Sequence, residues 1–76
     1  MSKLPQISGK ECIKTLKKVG FYIKRQKGSH IILYRDEPFT EVVVPNHKNI
    51  DKGTLRAIII QSKLEVDEFI ELYKSK

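Results

Sequence analysis

Two runs of alternating side chains, separated by Gly28-Ser29, constrain the fold more than any other part of the sequence. Residues 21–26 and 30–35 each alternate along the chain, which is the pattern of half-buried β-strands. Lys27 closes the first run, and the remaining connection of two small residues favours a tight hairpin turn. The sequence therefore predicts an antiparallel hairpin with His30 at the first position of its second strand.

The alternation also predicts which side chains of the hairpin face the core. In one register, Phe21 and Ile23 join Ile31 and Leu33 on the buried side. The solvent-facing side then carries Tyr22, Lys24, Gln26, His30, Ile32 and Tyr34. The inverse register stays open, because Ile32 is as apolar as its neighbours.

The segment before the hairpin predicts a helix. Ser8 and Glu11 have the spacing of a capping box, and Gly20 supplies a left-handed residue where the helix ends. Between them, an apolar face recurs at helical spacing: Cys12, Ile13, Leu16 and Val19. Residues 1–7 are a lead-in that is mostly polar.

After the hairpin, residues 40–44 are rich in β-branched side chains and predict a third strand ending at Pro45. Asp51 is placed to cap a second helix that begins at Lys52-Gly53-Thr54. Residues 64–76 contain a short last helix that starts at Leu64.

The order α-β-β-β-α-α predicts an α+β fold. We expect a two-layer sandwich, in which a three-stranded antiparallel sheet carries the helices on one face. The predicted core consists of Leu16, Phe21, Ile23, Leu33, Val42, Val44, Leu55 and Ile59. A chain of 76 residues is expected to form a single domain, 1–76, with one thin core, so its chemistry must occur on a surface.

The charge of the chain is positive and uneven. The net charge is +6 and the pI is about 9.6; residues 1–63 carry +8 and residues 64–76 carry −2. A domain with this excess of positive charge favours a polyanionic partner, most often a nucleic acid. The alternative is that the charge serves only solubility.

The single cysteine, Cys12, excludes an internal disulfide. Neither a signal peptide nor an apolar membrane span is evident, so we expect a cytoplasmic protein.

His30 is the strongest candidate for chemistry. Metal-free cleavage of RNA needs a group that exchanges protons and cations that stabilise a phosphate, and imidazole exchanges protons near neutral pH. Lys24, Lys27 and the Gly28-Ser29 turn supply nearby cations and backbone amides. The alternative is that His30 is an ordinary surface residue without a chemical role.

A second basic cluster surrounds the start of the second helix: His47, Lys48, Lys52 and Arg56. Free amides at that helix start form either a phosphate clamp or a solvated end capped by Asp51. His47 positions RNA, carries a second proton or fills the loop.

Cys12, His30 and His47 lack the spacing of metal ligands, so we expect neither a metal nor another cofactor. Tyr22 and Tyr34 either stack bases or pack on the sheet.

Four short motifs, in one order and at fitting spacing, resemble the HicA family of mRNA interferase toxins. They are Gly20-Phe21, Lys27-Gly28-Ser29-His30, Val44-Pro45-Asn46-His47 and Lys52-Gly53-Thr54-Leu55-Arg56. The resemblance covers about residues 8–72. It implies a fold similar to double-stranded RNA-binding domains, cleavage of mRNA with His30 as the catalytic residue, and a HicB-type antitoxin that covers His30 and the basic face.

Residues Ser62-Lys63 depart from the small pair that many relatives carry there. Two other functions remain open on the sequence: a module that binds RNA shape and phosphates without cutting, and a protein-interaction subunit with incidental charge. None of these functions involves a membrane.

Overall fold

A computed structural model describes residues 3–75 and confirms the predicted α+β sandwich. The helices and strands follow the predicted order: α1 (Gly9–Lys17), β1 (Tyr22–Lys27), β2 (His30–Arg35), β3 (Thr40–Pro45), α2 (Lys52–Gln61) and α3 (Val66–Lys74). The last helix begins at Val66, two residues later than predicted, after Glu65 as its N-cap. Residues 1, 2 and 76, at the ends of the predicted lead-in and last helix, lie outside the described residues.

The sheet is an antiparallel meander with strand order β1-β2-β3. The first and second helices pack against β3, and α3 packs against both of them. The helical layer therefore covers the β2–β3 side of the sheet more fully than the β1 edge.

The core contains seven of the eight predicted residues. It also contains residues that the sequence pattern did not assign to it: Leu4, Ile7 and Ile50, which are 8%, 1% and 3% exposed. A backbone hydrogen bond from the Ile50 N–H to the Ile7 carbonyl (2.9 Å) joins the lead-in to the loop before α2. Part of the N-terminal lead-in therefore belongs to the hydrophobic core.

The start of α1 lies tightly against the end of β3. Ser8 and Glu11 form the predicted capping box, with each side chain accepting a hydrogen bond from the other residue's N–H. The Gly9 N–H donates to the His47 carbonyl (2.9 Å), and a Cβ on Gly9 would collide with the Pro45 carbonyl oxygen. Glycine is needed there because the two backbones approach so closely.

The second strand has the register that places Ile31 and Leu33 in the core, but the prediction for Ile23 was wrong. Ile31 is 7% exposed and Leu33 is fully buried, whereas Ile23 is 46% exposed. Ile23 pairs with Leu33 and faces the helical layer. It stays exposed because β1 is the edge strand farther from the helices, which pack mainly against β3.

An irregularity in β1 also overturns the predicted position of Gln26. The pairing shifts between Ile23 and Arg25, so that Arg25 pairs with Ile32 and Gln26 pairs with Ile31. Such a β-bulge adds one residue and reverses the alternation that follows it. Lys24 and Arg25 therefore both lie on the outer face, while Gln26 faces the helical layer.

The outer face is less solvated than predicted. Ile32 lies on that face but is only 8% exposed, between its cross-strand partners Arg25 and Val43. The long side chain of Arg25 and the branched Val43 are suited to covering it. Ile32 thus belongs to neither the main core nor the wet surface.

The contact between Gly9 and Pro45 predicts a difference between two glycines in the first turns of helices. We expect Gly9→Ala to lower the free energy of unfolding by about 1–3 kcal/mol, because backbone atoms must move to admit the Cβ. Gly53→Ala is the matched control: its Cβ would lie 3.4 Å from Asp51 Oδ2, an ordinary contact. Urea unfolding should show Gly53→Ala as stable as the parent or slightly more stable. Equal losses in both variants would contradict this account.

Candidate functional site

The β1–β2 turn presents its backbone and the His30 side chain to solvent. Gly28 has a φ of 61° and Ser29 a negative φ, which matches a type II′ hairpin turn with glycine first. No atom lies within 4 Å of the position that a Cβ on Gly28 would take. The Gln26 side chain steadies the turn by donating to the Gly28 carbonyl (3.0 Å). A bulky ligand can therefore approach this turn closely.

His30 is exposed, and its Cα partner across the hairpin is Lys27. Paired residues of an antiparallel sheet project from the same face. An imidazole and an ammonium group thus share one end of the outer face, beside an open turn. A group that exchanges protons and a cation on one exposed surface are suited to chemistry beside a phosphate.

The other predicted cation of β1, Lys24, lies toward the opposite end of the outer face. Its Nζ is 5.7 Å from the centre of the Tyr34 ring. Tyr34 is four residues along β2 from His30, roughly 13 Å at the usual strand rise. Arg25 lies between these ends, opposite Ile32.

The aromatic residues of the outer face pack against one another. The Tyr34 ring makes edge-to-face contacts with Tyr22 and Phe39, with ring centres 6.4 Å and 5.0 Å apart. The Tyr22 hydroxyl donates to Asp36 (3.3 Å). These contacts and the neighbouring acidic group favour packing over base stacking as the role of Tyr22 and Tyr34.

The loop that carries His47 lies directly beside the hairpin turn. The Asn46 N–H donates to the Ser29 carbonyl (2.7 Å), and His30 pairs with Pro45. The His47 carbonyl is held by Gly9, while its side chain is exposed. The structure thus brings the two histidine-containing motifs together through backbone contacts.

The start of α2 favours the capped-helix interpretation over a clamp made of free amides. The Asp51 carboxylate accepts hydrogen bonds from the Thr54 N–H (3.0 Å) and the Thr54 hydroxyl (2.7 Å). These bonds hold the pKa of Asp51 below its ordinary value. The helix start already holds a negative group, so anion binding there depends on the exposed side chains of Lys48, Lys52 and Arg56.

Cys12 lies apart from these exposed groups. It is fully buried in the core, and burial raises the pKa of its thiol to about 12. A thiol in that state is a poor nucleophile because it is neutral and sealed from solvent.

All the predicted site residues are exposed, but the structure divides them among three places. One place holds Lys27, Gly28, Ser29 and His30, with His47 and Lys48 on the adjoining loop; the others hold Lys24 and the α2 cations Lys52 and Arg56. Sequence reasoning missed Arg25, because strict alternation points it toward the helices. Only the bulge, which leaves no mark in the sequence pattern, turns it to the outer face.

Residues 3–75 contain neither a cluster of metal-ligating side chains nor a helix that could span a membrane. No three His, Cys, Asp or Glu side chains of this part of the chain gather into a possible metal site. Within the same range, every helix is too short or too polar to cross a bilayer.

Comparison with known families connects this geometry to a biological class. A family model described as HicA toxin of bacterial toxin-antitoxin matches residues 9–64, which is more than half of the chain. The matched range contains the hairpin, the His47 loop and all of α2. A search of curated proteins found no significant match.

The lowered pKa of Asp51 predicts a specific loss of stability in acid. The contribution of the cap is fully present above the pKa of an unfolded aspartate, about 3.9, and is lost as the pH falls through the lower folded value. Asp51→Asn keeps an acceptor for Thr54 but does not titrate. We therefore expect a smaller acid-induced loss of unfolding free energy in Asp51→Asn than in the parent.

Urea unfolding at a series of pH values measures this difference. Asp51→Ala is the control, because it removes the acceptor and is expected to be less stable than Asp51→Asn already at neutral pH. Parallel acid profiles for the parent and Asp51→Asn would argue against the cap as the titrating group.

Proposed function

The chain belongs to the HicA family of toxins from bacterial toxin–antitoxin systems, and we propose that it acts as a type II toxin by cutting mRNA beside His30. The observation that carries this proposal is the exposed imidazole at the hairpin end, paired across the strands with Lys27. The open surface of the Gly28-Ser29 turn supports it, because an RNA backbone needs room to approach.

The reaction we propose requires no metal ion. The 2′-hydroxyl of a ribose attacks the adjacent phosphorus, its proton passes to a base, and the bond to the 5′-oxygen breaks as that oxygen gains a proton. The products are a 2′,3′-cyclic phosphate and a 5′-hydroxyl. His30 exchanges protons in this scheme, and Lys27 with the turn amides offsets the negative charge that develops on the phosphate.

The remaining basic residues hold the RNA strand on either side of the cut. Lys48, Lys52 and Arg56 bind flanking phosphates from the start of α2 and the loop before it, and His47 contacts RNA from the same loop. Lys24 serves a phosphate farther along the outer face. Because the start of α2 is capped by Asp51, these contacts come from side chains rather than from free helix amides.

The same surface provides the place at which an antitoxin neutralises the protein. A HicB-type antitoxin, acidic at its docking surface, covers His30 and the basic face and excludes RNA. This proposal is supported by the exposure of the whole hairpin end, which no other part of residues 3–75 covers.

The catalytic role of His30 is tested with purified protein and a defined mRNA. We expect His30→Ala to slow cleavage by at least about 100-fold, the usual effect of removing a proton-exchanging group, with RNA affinity nearly unchanged. His47→Ala is the matched control, because it removes the other histidine; it should weaken RNA binding and retain cleavage. Cleavage should persist in EDTA.

The alternatives give different results in the same assay. A binding-only module would hold RNA without cutting it, and His30→Ala would change only affinity. Negligible RNA affinity at ~150 mM salt would indicate a protein-interaction subunit. Cleavage abolished by EDTA would contradict the metal-free scheme.

The antitoxin proposal predicts protection of His30. Diethyl pyrocarbonate should modify His30 markedly more slowly in the toxin–antitoxin complex than in the free toxin, as measured by peptide mass spectrometry. Acetylation of Lys63, in the α2–α3 connection, is the control and should proceed at similar rates in both. Equal modification of His30 in the two samples would place the partner elsewhere.

A further inference from the structure

A groove of about 350 Å³ lies between α1 and β1, on the side of the sheet opposite the His30 side chain. Its floor is formed by Ile13, Ile23 and Ile31, of which Ile23 is 46% exposed. The groove exists because α1 packs against β3 and α3 and leaves β1, the other edge strand, uncovered. A concave site with an apolar floor and a few polar groups at its rim has the general form of a ligand site.

The rim of this groove is strongly cationic. Lys10, Lys14 and Lys17 line it at positions one turn apart along α1. Among the described residues that line the groove, none carries a carboxylate. The rim therefore suits a ligand that combines an apolar surface with negative charge.

The mouth of the groove opens at the hairpin that carries His30. Gln26 and Asn46 both line the groove, and both also hold the turn. Gln26 donates from its side chain to the Gly28 carbonyl (3.0 Å), and Asn46 donates from its backbone to the Ser29 carbonyl (2.7 Å). Gln26 reaches this position only because of the bulge in β1.

We propose that this groove binds one nucleotide of the RNA strand next to the phosphate at His30. The base lies on the isoleucine floor, the amides of Gln26 and Asn46 bind its edge, and the α1 lysines hold its phosphate. Side-chain amides are well suited to base edges, and unstacked bases of single strands are the usual targets of RNA recognition. The inference rests on the proposed RNA substrate and gives that substrate a base-reading site.

An acidic protein segment is the competing occupant, and two observations favour RNA over it. The mouth holds two amide side chains that complement a base, and it is continuous with the turn where RNA is proposed to be cut. A protein side chain would use the apolar floor but would leave the hydrogen-bonding capacity that remains on these amides unused.

The test measures binding of short homopolymeric RNAs labelled with fluorescein, by anisotropy, in a His30→Ala parent that cannot cut them. We expect the parent to distinguish poly-A, poly-C and poly-U oligomers. Ile23→Ala and Gln26→Ala should each weaken binding of the preferred oligomer by roughly five- to tenfold. Each should also reduce the difference in affinity among the oligomers. Ile60→Ala is the matched control, because Ile60 is 65% exposed and lies on α2 outside the groove.

The lysines are tested with two double variants of equal net charge. The double variant Lys10→Gln/Lys17→Gln should weaken binding of all oligomers about equally. The double variant Lys63→Gln/Lys74→Gln removes the same two charges outside the groove and should weaken binding less. Circular dichroism of each variant checks that the fold is retained.

The outcomes separate this inference from the proposed function. If the parent binds RNA and the groove variants behave as Ile60→Ala does, the groove is not the base site although RNA remains the substrate. If the wild-type protein neither binds nor cuts RNA, the proposed function fails. If the groove variants weaken only the complex with the antitoxin, the groove is a protein docking site and the nucleotide assignment is overturned.

Discussion

The backbone of residues 45–47 fixes the geometry on which the rest of the structure depends. The Asn46 N–H binds the carbonyl of Ser29 in the hairpin turn, and the His47 carbonyl binds the N–H of Gly9 at the start of α1. Because Gly9 has no side chain, its helix lies against the Pro45 carbonyl. One short segment thus sets the hairpin, the first helix and the loop toward α2 relative to one another.

This use of backbone contacts leaves the side chains at the hairpin end available for other purposes. His30, His47 and Lys27 are exposed, while the contacts that hold their segments come from main-chain atoms or from Gln26. A small domain has few buried residues with which to hold a site rigid. Backbone hydrogen bonds supply that rigidity here without enclosing the site, which suits a polymeric substrate.

Local features of the structure were predictable from the sequence, because their causes are local. The capping box at Ser8 and Glu11 and the Asp51 cap follow from spacing alone. The inward positions of Ile31 and Leu33 correspond to one of the two registers that the alternation allowed. The exposure of Ile23 was not predictable, because it depends on which strand the helices fail to cover. Leu4 and Ile50 are single apolar residues in polar segments, so no periodicity assigned them to the core. In the candidate site, the positions of Arg25 and Gln26 depend on the bulge, a property of the paired strands that one strand's sequence does not contain.

That same bulge affects how one copy of this protein meets another. The free edge of β1 presents unpaired backbone groups, and a regular edge of this kind would add a further strand readily. The shift at Ile23–Arg25 breaks the spacing that such a strand would need, and Lys24, Arg25 and Lys27 would confront identical charges on a second copy. The irregular, positively charged edge therefore opposes sheet growth and aggregation while it remains open to ligands of opposite charge.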